Sequence, residues 1–448
     1  MPLTGIEIFK LLPKTNCGKC GVPTCLAFAM QLAAGKAELT ACPTVSEEAR
    51  AKLSEAAAPP IRLVTIGTGS RAIKVGGETV LFRHEKRFEN PPGLAILISD
   101  VLSDTEIDAR ISKVNSLHYE RVGLTLRPEL AAIKYESGKT EKYVSVVDKV
   151  KKQSDCSIIL MSPDVPTLLA ALKICADRKP LIYAATKDNA GQIADLAKEY
   201  NCPVAVKGEN LEEVMQVTDQ LSKAGIKDMV IDSGTRRLKK AFEDQIFIRK
   251  AALAKNRLLG FPTIIFPCEM STDPMKEALI ASVFIAKYAG LIVLSDFDGH
   301  SLFPLLVERL NIYTDPQKPL ATKEGIYEIG GPGENSPVLI TSNFSLTYFI
   351  VSGEIENSKV PAYLLVKDTE GLSVMTAWAA GKFVADTIAQ FVKKSGIADK
   401  VKHRTLIIPG YAAQESGGLE EELPGWKIEV GPREASHIPA YLKNWKPA

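Results

Sequence analysis

Residues 157–186, SIILMSPDVPTLLAALKICADRKPLIYAAT, contain a complete strand–helix–strand unit. Two apolar runs, 157–162 and 181–186, flank a segment over 164–178 in which apolar residues recur at helical spacing. Continuous apolar runs joined by such a helix are typical of parallel strands that are covered on both faces. This stretch therefore predicts an α/β fold.

The same alternation extends over residues 93–311. The predicted strands are LAILIS (94–99), RVGLTL (121–126), SIILMS (157–162), LIYAAT (181–186), PVAVKG (203–208), MVIDSG (229–234), PTIIFP (262–267) and LIVLSD (291–296). Eight strand–helix units in about 220 residues are typical of a closed (β/α)8, or TIM-type, barrel. An open doubly wound sheet is the alternative, and the short, even spacing of the strands favours the barrel.

Pro- and Gly-rich segments set this barrel apart from the rest of an α/β multidomain chain. Residues 58–92 are predicted as a linker with a small element of three strands and a hairpin turn at Gly76-Gly77, and residues 312–336 as a second linker. Residues 337–448 predict an open α/β domain, whose ligand site should lie outside the carboxyl ends of its strands. Its predicted strands are VLIT (338–341), AYLLVK (362–367), TLIIP (405–409) and KIEV (427–430), and its predicted helices are 344–353, 371–392, 413–421 and 433–443.

Composition excludes several classes of function. The 55 basic residues balance 53 acidic ones, so the chain has no electrostatic footprint for nucleic acid. No apolar run approaches the ~18 residues of a membrane span, and the first residues lack the basic and apolar segments of a signal peptide. We therefore expect a cytoplasmic protein with reduced thiols and with neither a nucleic-acid nor a membrane partner.

Half of the eight cysteines lie close together near the N-terminus, at Cys17, Cys20, Cys25 and Cys42. Their spacing, C-x2-C-x4-C-x16-C, favours a [4Fe–4S] cluster in a small domain over residues 1–57. Zinc, which more often has two C-x2-C pairs, and a redox thiol site are the alternatives. Cys25 begins a predicted helix that is capped by Thr24 and ends at Gly35.

The remaining cysteines are predicted to be small buried apolar residues rather than reactive groups. They are Cys156, Cys175, Cys202 and Cys268. The segment IGTGSRA (66–72) matches a dinucleotide-binding pattern, but strands rather than a helix follow it, so a turn is the better interpretation.

The barrel has five acidic residues at or just beyond its predicted strand ends, the face where a barrel enzyme acts. They are Asp100, Asp164, Asp232, Glu269 and Asp296. No histidine or cysteine stands beside a matched nucleophile, and carboxylates after strands also cap helices. The sequence therefore predicts no catalytic residue and favours a scaffold over a catalytic barrel.

Small residues are frequent in the predicted loops of the last domain. The loops are ITSNFSLTYF (340–349), KDTEGLSVMTAWAAGK (367–382), IPGYAAQESGG (408–418) and EVGPREA (429–435). Small side chains would allow a large flat ligand to lie close to the backbone, with hydroxyls and amides at its periphery. Ordinary loops of an α/β fold are the alternative.

These features together resemble the large (gamma) subunit of the corrinoid iron–sulfur protein of the acetyl-CoA (Wood–Ljungdahl) pathway. The resemblance is carried by TGIEIFKLLPKTNCGKCGVPTCLAFAM, LTACP, TSNFSLTYF, DTEGLSVMTAWAAGKF, IPGYAAQESGGLEE and VGPREA, and it spans nearly the whole chain. The family implies a carbon dioxide fixation role as a methyl carrier, a protein that can be grouped with methyltransferases. A cobamide as Co(I) accepts methyl from methyltetrahydrofolate on a methyltransferase and delivers it as methyl–Co(III) to CO dehydrogenase/acetyl-CoA synthase.

The resemblance also implies cofactor ligands and partners. Cys17, Cys20, Cys25 and Cys42 would hold the [4Fe–4S] cluster, which receives electrons from a donor such as ferredoxin and returns Co(II) to Co(I). A smaller barrel subunit would complete a heterodimer, with the corrinoid between the two subunits. The corrinoid would contact a Rossmann-like C-terminal domain at Thr341, Ser342, Asn343, Thr347, Gly371, Leu372, Ser373, Val374, Thr376, Ala377, Gly410, Ala412, Ala413, Gly431, Pro432, Arg433, Glu434 and Ala435.

The sequence lacks the D-x-H-x-x-G loop with which many cobalamin proteins ligate cobalt. The last domain has two histidines, His403 and His437, and neither is predicted at a strand carboxyl end. We therefore expect a base-off cobamide without a histidine ligand. Three alternatives remain: a corrinoid methyltransferase whose barrel binds methyltetrahydrofolate, an Fe–S flavoprotein oxidoreductase, and a plain electron-transfer module, which would leave the last domain unexplained.

Overall fold

The computed structural model describes residues 4–33, 37, 39–50, 53, 58–121 and 124–447. The predicted helix end at Gly35 lies outside these residues. The chain forms two compact units. The first unit comprises Met1–Leu81, Glu89–Leu117 and Pro128–Ile312, and the second comprises Phe82–Phe88, His118–Arg127 and Tyr313–Ala448.

The N-terminal region of the first unit contains two packed helices, α1 (Gly5–Leu11) and α2 (Cys25–Ala33). A capping box begins α1, since the Thr4 hydroxyl accepts from the Glu7 amide at 3.3 Å and the Glu7 carboxylate accepts from the Thr4 amide at 2.8 Å. The predicted cap of α2 is confirmed, because the Thr24 hydroxyl accepts from the Ala27 amide at 3.1 Å.

The barrel of the first unit is closed by eight parallel strands, which confirms the predicted architecture. In their order around the barrel they are β10 (Met229–Asp232), β11 (Thr263–Ile265), β12 (Ala289–Leu294), β3 (Gly93–Ser99), β6 (Leu130–Lys134), β7 (Ser157–Met161), β8 (Leu181–Ala185) and β9 (Val204–Lys207). The connecting helices are α3 (Asp104–Ser116), α4 (Thr140–Gln153), α5 (Val165–Cys175), α6 (Ala190–Tyr200), α7 (Leu211–Lys223), α8 (Leu238–Leu253), α9 (Pro274–Ala286) and α10 (Gly299–Ile312). The strands are almost wholly buried, as their continuous apolar runs require.

One predicted barrel strand was wrong. Residues 119–121 and 124–126 form a separate antiparallel hairpin, β4 (Tyr119–Arg121) and β5 (Leu124–Leu126), and the barrel strand that follows β3 is Leu130–Lys134. Leu124 is 47% exposed, which fits a hairpin with a solvated face better than a strand covered on both sides.

The small β element has two strands rather than the predicted three. β1 (Val64–Ile66) and β2 (Ile73–Val75) pair antiparallel, and IGTGSRA supplies the turn between them, as predicted. Gly76 and Gly77 follow β2 and do not form the hairpin turn. Residues 78–83 form no strand, and the Glu78 carboxylate accepts from the amides of residues 89 and 90 at 2.9 and 3.2 Å.

The hairpin β1–β2 closes the amino-terminal end of the barrel. Val64, Ile66 and Val75 are fully buried in the barrel core. The Ser157 hydroxyl, at the start of β7, donates to the Arg71 carbonyl at 2.9 Å. With one end sealed, the carboxyl ends of the strands form the accessible face.

The second unit contains an open five-stranded sheet in the order β13 (Gly325–Ile329), β15 (Ala362–Lys367), β14 (Val338–Ser342), β16 (Thr405–Ile408) and β17 (Lys427–Val430). Four strands are parallel and β13 is an antiparallel edge. Its helices are α11 (Ser345–Ser358), α12 (Val374–Ala379), α13 (Ala385–Ser395), α14 (Ile397–Lys400), α15 (Ser416–Glu422) and α16 (Ile438–Asn444). Separate apolar clusters on the two sheet faces show that helices cover both.

Two predictions in this unit need correction. The segment 312–336, predicted as a linker, contributes the edge strand Gly325–Ile329 to the sheet. The single helix predicted over 371–392 is broken at Gly381, whose φ of 71° is left-handed, and the amide of the next residue, Lys382, donates back to the Ala377 carbonyl at 2.8 Å. The domain boundaries and the Rossmann-like label stay predictions.

Candidate functional site

A cleft of about 280 Å³ lies at the carboxyl edge of the second unit's sheet. The strand order places β14 between β15 and β16, so the crossover direction reverses between β14 and β16. Open parallel sheets bind ligands at such a switch point, outside the carboxyl ends of the strands. The cleft includes the ends of β14 and β16.

Eight predicted site residues line this cleft: Thr341, Thr347, Ser373, Val374, Gly431, Pro432, Arg433 and Ala435. The lining is mainly apolar, and Arg433 is its one charged side chain among the described residues. A largely apolar wall with few polar groups is the usual character of a small-molecule site.

The other ten predicted residues do not line the cleft. They are Ser342, Asn343, Gly371, Leu372, Thr376, Ala377, Gly410, Ala412, Ala413 and Glu434. Ala377 and Ala412 are fully buried in the core of this unit. The structure therefore divides the predicted residues into eight that line the cleft and ten that lie outside its lining.

Asn343 is the main supporting residue. Its side-chain oxygen accepts from the amides of Thr369 and Gly371 and from the Thr369 hydroxyl, each at 2.9 Å. Its side-chain nitrogen donates to the Asp368 carboxylate at 2.8 Å. Asn343 is 3% exposed, so it connects the end of β14 to the loop after β15 through a buried network.

The loops after β16 and β17 also hold each other. A Cβ at Gly410 would lie 2.6 Å from the Arg433 amide nitrogen, so only glycine permits this approach. The Tyr411 hydroxyl donates to the Glu434 carboxylate at 2.8 Å, and this bond raises the pKa of Tyr411 above its usual value. Both loops thus reach the cleft in a fixed relation.

The sequence analysis did not predict the exposed apolar side chains at this site. Ile350, Met375 and Tyr411 line the cleft and are 44–46% exposed, and other large apolar side chains near them are also exposed. These neighbours are Leu346, Phe349 and Trp378. The available signal was the apolar run along α11, which exceeds what its buried face needs.

The lining of the cleft fits a large flat ligand with polar groups at its edge. It is mainly apolar, and the side chains of Thr341, Thr347, Ser373 and Arg433 supply hydrogen-bonding groups along it. An apolar wall with a few such groups can hold a corrinoid, whose flat body is surrounded by amide groups.

Neither histidine of this unit lines the cleft. The Thr405 amide donates to His403 Nδ1 at 3.2 Å, and the Nε2 atom of His403 lies 2.9 Å from the Ser336 carbonyl, so both ring nitrogens are engaged. His437 is exposed and ends a short 3-10 turn outside the lining. No histidine is thus among the described residues that line the cleft.

Three of the four N-terminal cysteines share one small apolar region, and the four thiols do not converge. Cys20, Cys25 and Cys42 belong to the same cluster, while Cys17 is exposed. No group of three or more metal-ligating side chains forms among the residues that the structure describes. The donor chemistry, four thiols, fits an iron–sulfur cluster, although these positions do not build the ligand cage.

Local geometry around these cysteines allows tight turns. Gly18 and Gly21 have φ values of 67° and 80°, a left-handed conformation that side chains disfavour. The Cys25 amide donates to the Asn16 side chain at 2.8 Å, which ties the loop to the start of α2. A hydrogen bond from the Lys19 amide, supported by the Thr15 and Thr44 hydroxyls, lowers the pKa of Cys17.

The remaining four cysteines were predicted to be buried apolar residues, and three of the four are buried. Cys156, Cys175 and Cys202 are buried and Cys268 is partly buried. Burial raises the pKa of Cys156 and raises the pKa values of the other three to about 12. They are therefore protonated, unreactive thiols at neutral pH.

Each of the five acidic residues at the barrel's strand ends has a structural role, as an ion-pair partner, a helix cap or an acceptor for loop amides. Asp164 caps α5 by accepting from the Thr167 amide at 2.9 Å, and Asp296 pairs with Lys113 at 2.8 Å. Asp100 accepts from the Glu136 and Ser137 amides at 2.8 Å each. Asp232 and Glu269 both pair with Arg236.

None of the described helices is long and apolar enough to span a membrane.

Comparison with known proteins defines the class. Residues 63–442 match the family described as CO dehydrogenase/acetyl-CoA synthase delta subunit, and residues 12–44 match the FeS family, described as "Putative Fe-S cluster". The Corrinoid/iron-sulfur protein large subunit of Moorella thermoacetica is 47% identical over 444 residues, covering 99% of this chain and 99% of that protein.

Archaeal relatives indicate the same family. The Acetyl-CoA decarbonylase/synthase complex subunit gamma is 35% identical in Methanothermobacter thermautotrophicus, covering 99% of both chains, and 36% identical in Archaeoglobus fulgidus, covering 99% of this chain and 98% of the relative. The chain belongs to this family of corrinoid/iron–sulfur protein large, or gamma, subunits. Among solved structures, Yersinia pestis DHPS is similar at 13% identity and a TM-score of 0.37, covering 49% of this chain and 94% of that one, a score too low to support any conclusion.

Proposed function

We propose that this chain is a methyl-group carrier, with a cobamide in the cleft of the second unit and a [4Fe–4S] cluster on Cys17, Cys20, Cys25 and Cys42. The observation that carries the proposal is an apolar cleft at the switch point of the open sheet, in a chain 47% identical over its length to a corrinoid/iron–sulfur large subunit. When bound, the cobamide would supply a cobalt centre that accepts a methyl group from methyltetrahydrofolate and gives it to acetyl-CoA synthase, with the cluster as its reductant.

The chain's own residues would exclude water and position the ligand. Ile350, Met375 and Tyr411 would cover its apolar surface, because their side chains are exposed around the cleft. Asn343 would act indirectly, by holding the loop that carries Gly371 and the residues after it. Arg433 would lie at the periphery, where a cation can donate to amide or phosphate oxygens.

The lining supports a base-off cobamide without a protein nitrogen on cobalt. His403 has both ring nitrogens engaged, and His437 lies outside the cleft lining. An axial nitrogen donor stabilises oxidised metal, so its absence favours the reduced state that a methyl acceptor needs.

The partners follow from the same proposal. We infer that a smaller barrel subunit covers the exposed apolar rim around the cleft, in a heterodimer. Exposed side chains of the size of Leu346, Phe349 and Trp378 are typical of an interaction surface. A methyltetrahydrofolate methyltransferase, CO dehydrogenase/acetyl-CoA synthase and an electron donor such as ferredoxin would bind in turn, in the cytoplasm.

Metal content of two variants tests the proposal. Thr347→Trp places a large side chain in the cleft, and Asn357→Trp places the same side chain on an exposed position of the same helix as the control. We expect Thr347→Trp to lose cobalt and keep iron, Cys25→Ser to lose iron and keep cobalt, and Asn357→Trp to keep both. Full cobalt content in Thr347→Trp, or a flavin spectrum in place of a corrinoid spectrum, would refute the assignment of the cleft.

A further inference from the structure

The barrel of the first unit has a cavity of its own, about 410 Å³ in volume. Its walls come from residues at the carboxyl ends of the neighbouring strands β6, β7, β8 and β9, together with Glu269 from the turn after β11. This is the open end of the barrel, opposite the hairpin that seals the other end. The volume lies within the range of about 300–1,000 Å³ that small-molecule sites occupy.

Most of the charge beside this cavity is internally balanced. Arg236 donates to both carboxylate oxygens of Asp232, at 3.0 and 2.9 Å, and also pairs with Glu269. Lys134 lies 2.9 Å from Glu136 and 3.6 Å from Glu269. Each of these carboxylates therefore has a cationic partner, and the network is satisfied without a ligand.

Tyr183 connects this network to the cavity. Its hydroxyl donates to Asp232 at 2.6 Å, and its ring packs edge-on against Phe266 at 5.1 Å between centroids. Burial raises the pKa of Tyr183 well above its usual value, so the hydroxyl stays protonated. One wall of the cavity is consequently rigid and neutral.

Lys207 is the exception to this balance. It lies at the end of β9, lines the cavity and is partly buried, yet it has no hydrogen-bond or ion-pair partner among the described residues. The lining carboxylate not in the network is Asp188, which is exposed at the rim. A partly buried cation that faces a cavity without a counter-charge attracts an anion.

Part of the cavity lining is apolar. Tyr135, Met161 and Pro163 form this part, and the ring of Tyr183 extends it. Such a surface suits the flat or hydrocarbon body of a ligand, while a single cation suits one anionic group. A free inorganic ion would leave this surface in contact with water.

We propose that the barrel binds a small organic anion, with its carboxylate or phosphate group on Lys207 and its apolar body against Tyr135, Met161 and Tyr183. This site is separate from the cleft of the second unit and adds a ligand-binding function to a barrel that has no catalytic pairing. Binding there requires no chemistry, and the residues of the corrinoid and cluster sites take no part in it.

Ligand-observed NMR on the full chain tests the site with three probes of one shape. Benzoate supplies the carboxylate, phenyl phosphate supplies the phosphate, and benzyl alcohol is the neutral control. Losing a charge-assisted hydrogen bond weakens binding about tenfold or more. We therefore expect Lys207→Met to weaken the binding of at least one anionic probe by about that factor.

Lys198→Met, at an exposed position on α6, is the matched control and should bind like the wild type. Lys207→Gln is the second variant, should Lys207→Met not fold. The proposal is supported if either anion binds saturably, benzyl alcohol binds much more weakly and the Lys207 variants bind the anion more weakly than the wild type. The anion that binds more tightly, benzoate or phenyl phosphate, identifies the preferred anionic group. Equal binding by wild type and both Lys207 variants, or saturable binding of neither anion, overturns it. Cobalt and iron content serve as separate readouts, so failure here is distinguishable from failure of the carrier function.

Discussion

Asn343→Ala is the substitution that should most weaken the loops around the cleft of the second unit. The change removes the acceptor for the amides of Thr369 and Gly371 and for the Thr369 hydroxyl, each at 2.9 Å, and the donor to Asp368 at 2.8 Å. Thr369 is fully buried, so water cannot readily replace these bonds.

The magnitude follows from the four lost bonds. A net cost of about 1 kcal/mol for each gives a loss of about 3–4 kcal/mol in the free energy of unfolding of this unit. A loss of this size is large for a single substitution and is characteristic of a broken buried network. The same change should release the loop after β15 and reduce cobalt content.

Tryptophan fluorescence during urea unfolding measures this loss selectively. The three tryptophans of the chain, Trp378, Trp426 and Trp445, all lie in the second unit, so their fluorescence follows the unit that contains the cleft. Asn357→Ala, at an exposed position of α11, is the control and should change the free energy of unfolding by less than about 0.5 kcal/mol. A loss below about 1 kcal/mol in Asn343→Ala would refute the assigned role of Asn343.

Three further changes have definite expected results. Arg236→Met leaves the buried carboxylate of Asp232 without its cationic partner and removes one of the two cations that pair with Glu269. It should destabilise the barrel by about 3–5 kcal/mol, measured by circular dichroism in urea, and an unchanged midpoint would contradict this. Ser103→Ala removes the cap of α3 and should cost about 1 kcal/mol, because the Glu106 amide loses its acceptor. The Ser103 hydroxyl also donates to the Glu106 carboxylate and lowers the pKa of Glu106, so the part of the wild-type advantage that comes from this bond should be present above the usual glutamate pKa and be lost as pH falls through the lowered value. Gly410→Ala has no room for its methyl group against the 431–433 loop and should lower cobalt content while leaving iron unchanged, which metal analysis would show.

The sequence predicted the barrel because seven of its eight strands are continuous apolar runs with helices between them. The prediction failed at the one barrel strand whose residues have weak strand propensity. Leu130–Lys134 contains two alanines and is short, whereas the nearby 121–126 segment has stronger strand propensity, but its residues 121 and 124–126 belong to an antiparallel pair of strands with an exposed leucine. Propensity does not distinguish a strand that is buried on both faces from one in a solvated hairpin.

The candidate site was predicted at the level of loops rather than of side chains. The strand ends and small residues indicated this edge of the sheet, where Thr341, Ser373 and Arg433, which the resemblance implied, line the cleft. The sequence could not show that Asn343 turns inward to hold a loop, since that depends on where the segment after β15 passes. The exposure of Ile350 was missed because an apolar residue on a helix is ordinarily assigned to the core, although α11 has more apolar residues than its buried face needs.

The barrel cavity illustrates the same limit. Each acidic residue after a strand could be found in the sequence, but the partners of Glu269 and Asp296, Arg236 and Lys113, are distant in the chain and are brought to them only by the closed barrel. Lys207 in particular resembles any other lysine at a strand end until the surrounding charges are seen to be paired.

The central claim is that the cleft of the second unit holds a cobamide whose cobalt receives no histidine from this chain. The most direct test is the electron paramagnetic resonance spectrum of the Co(II) form of the full chain, prepared without oxygen. We expect a cobalt signal without splitting from an axial nitrogen, and the same spectrum from His437→Ala. A nitrogen splitting that disappears in His437→Ala, or the absence of any cobalt signal, would contradict the account.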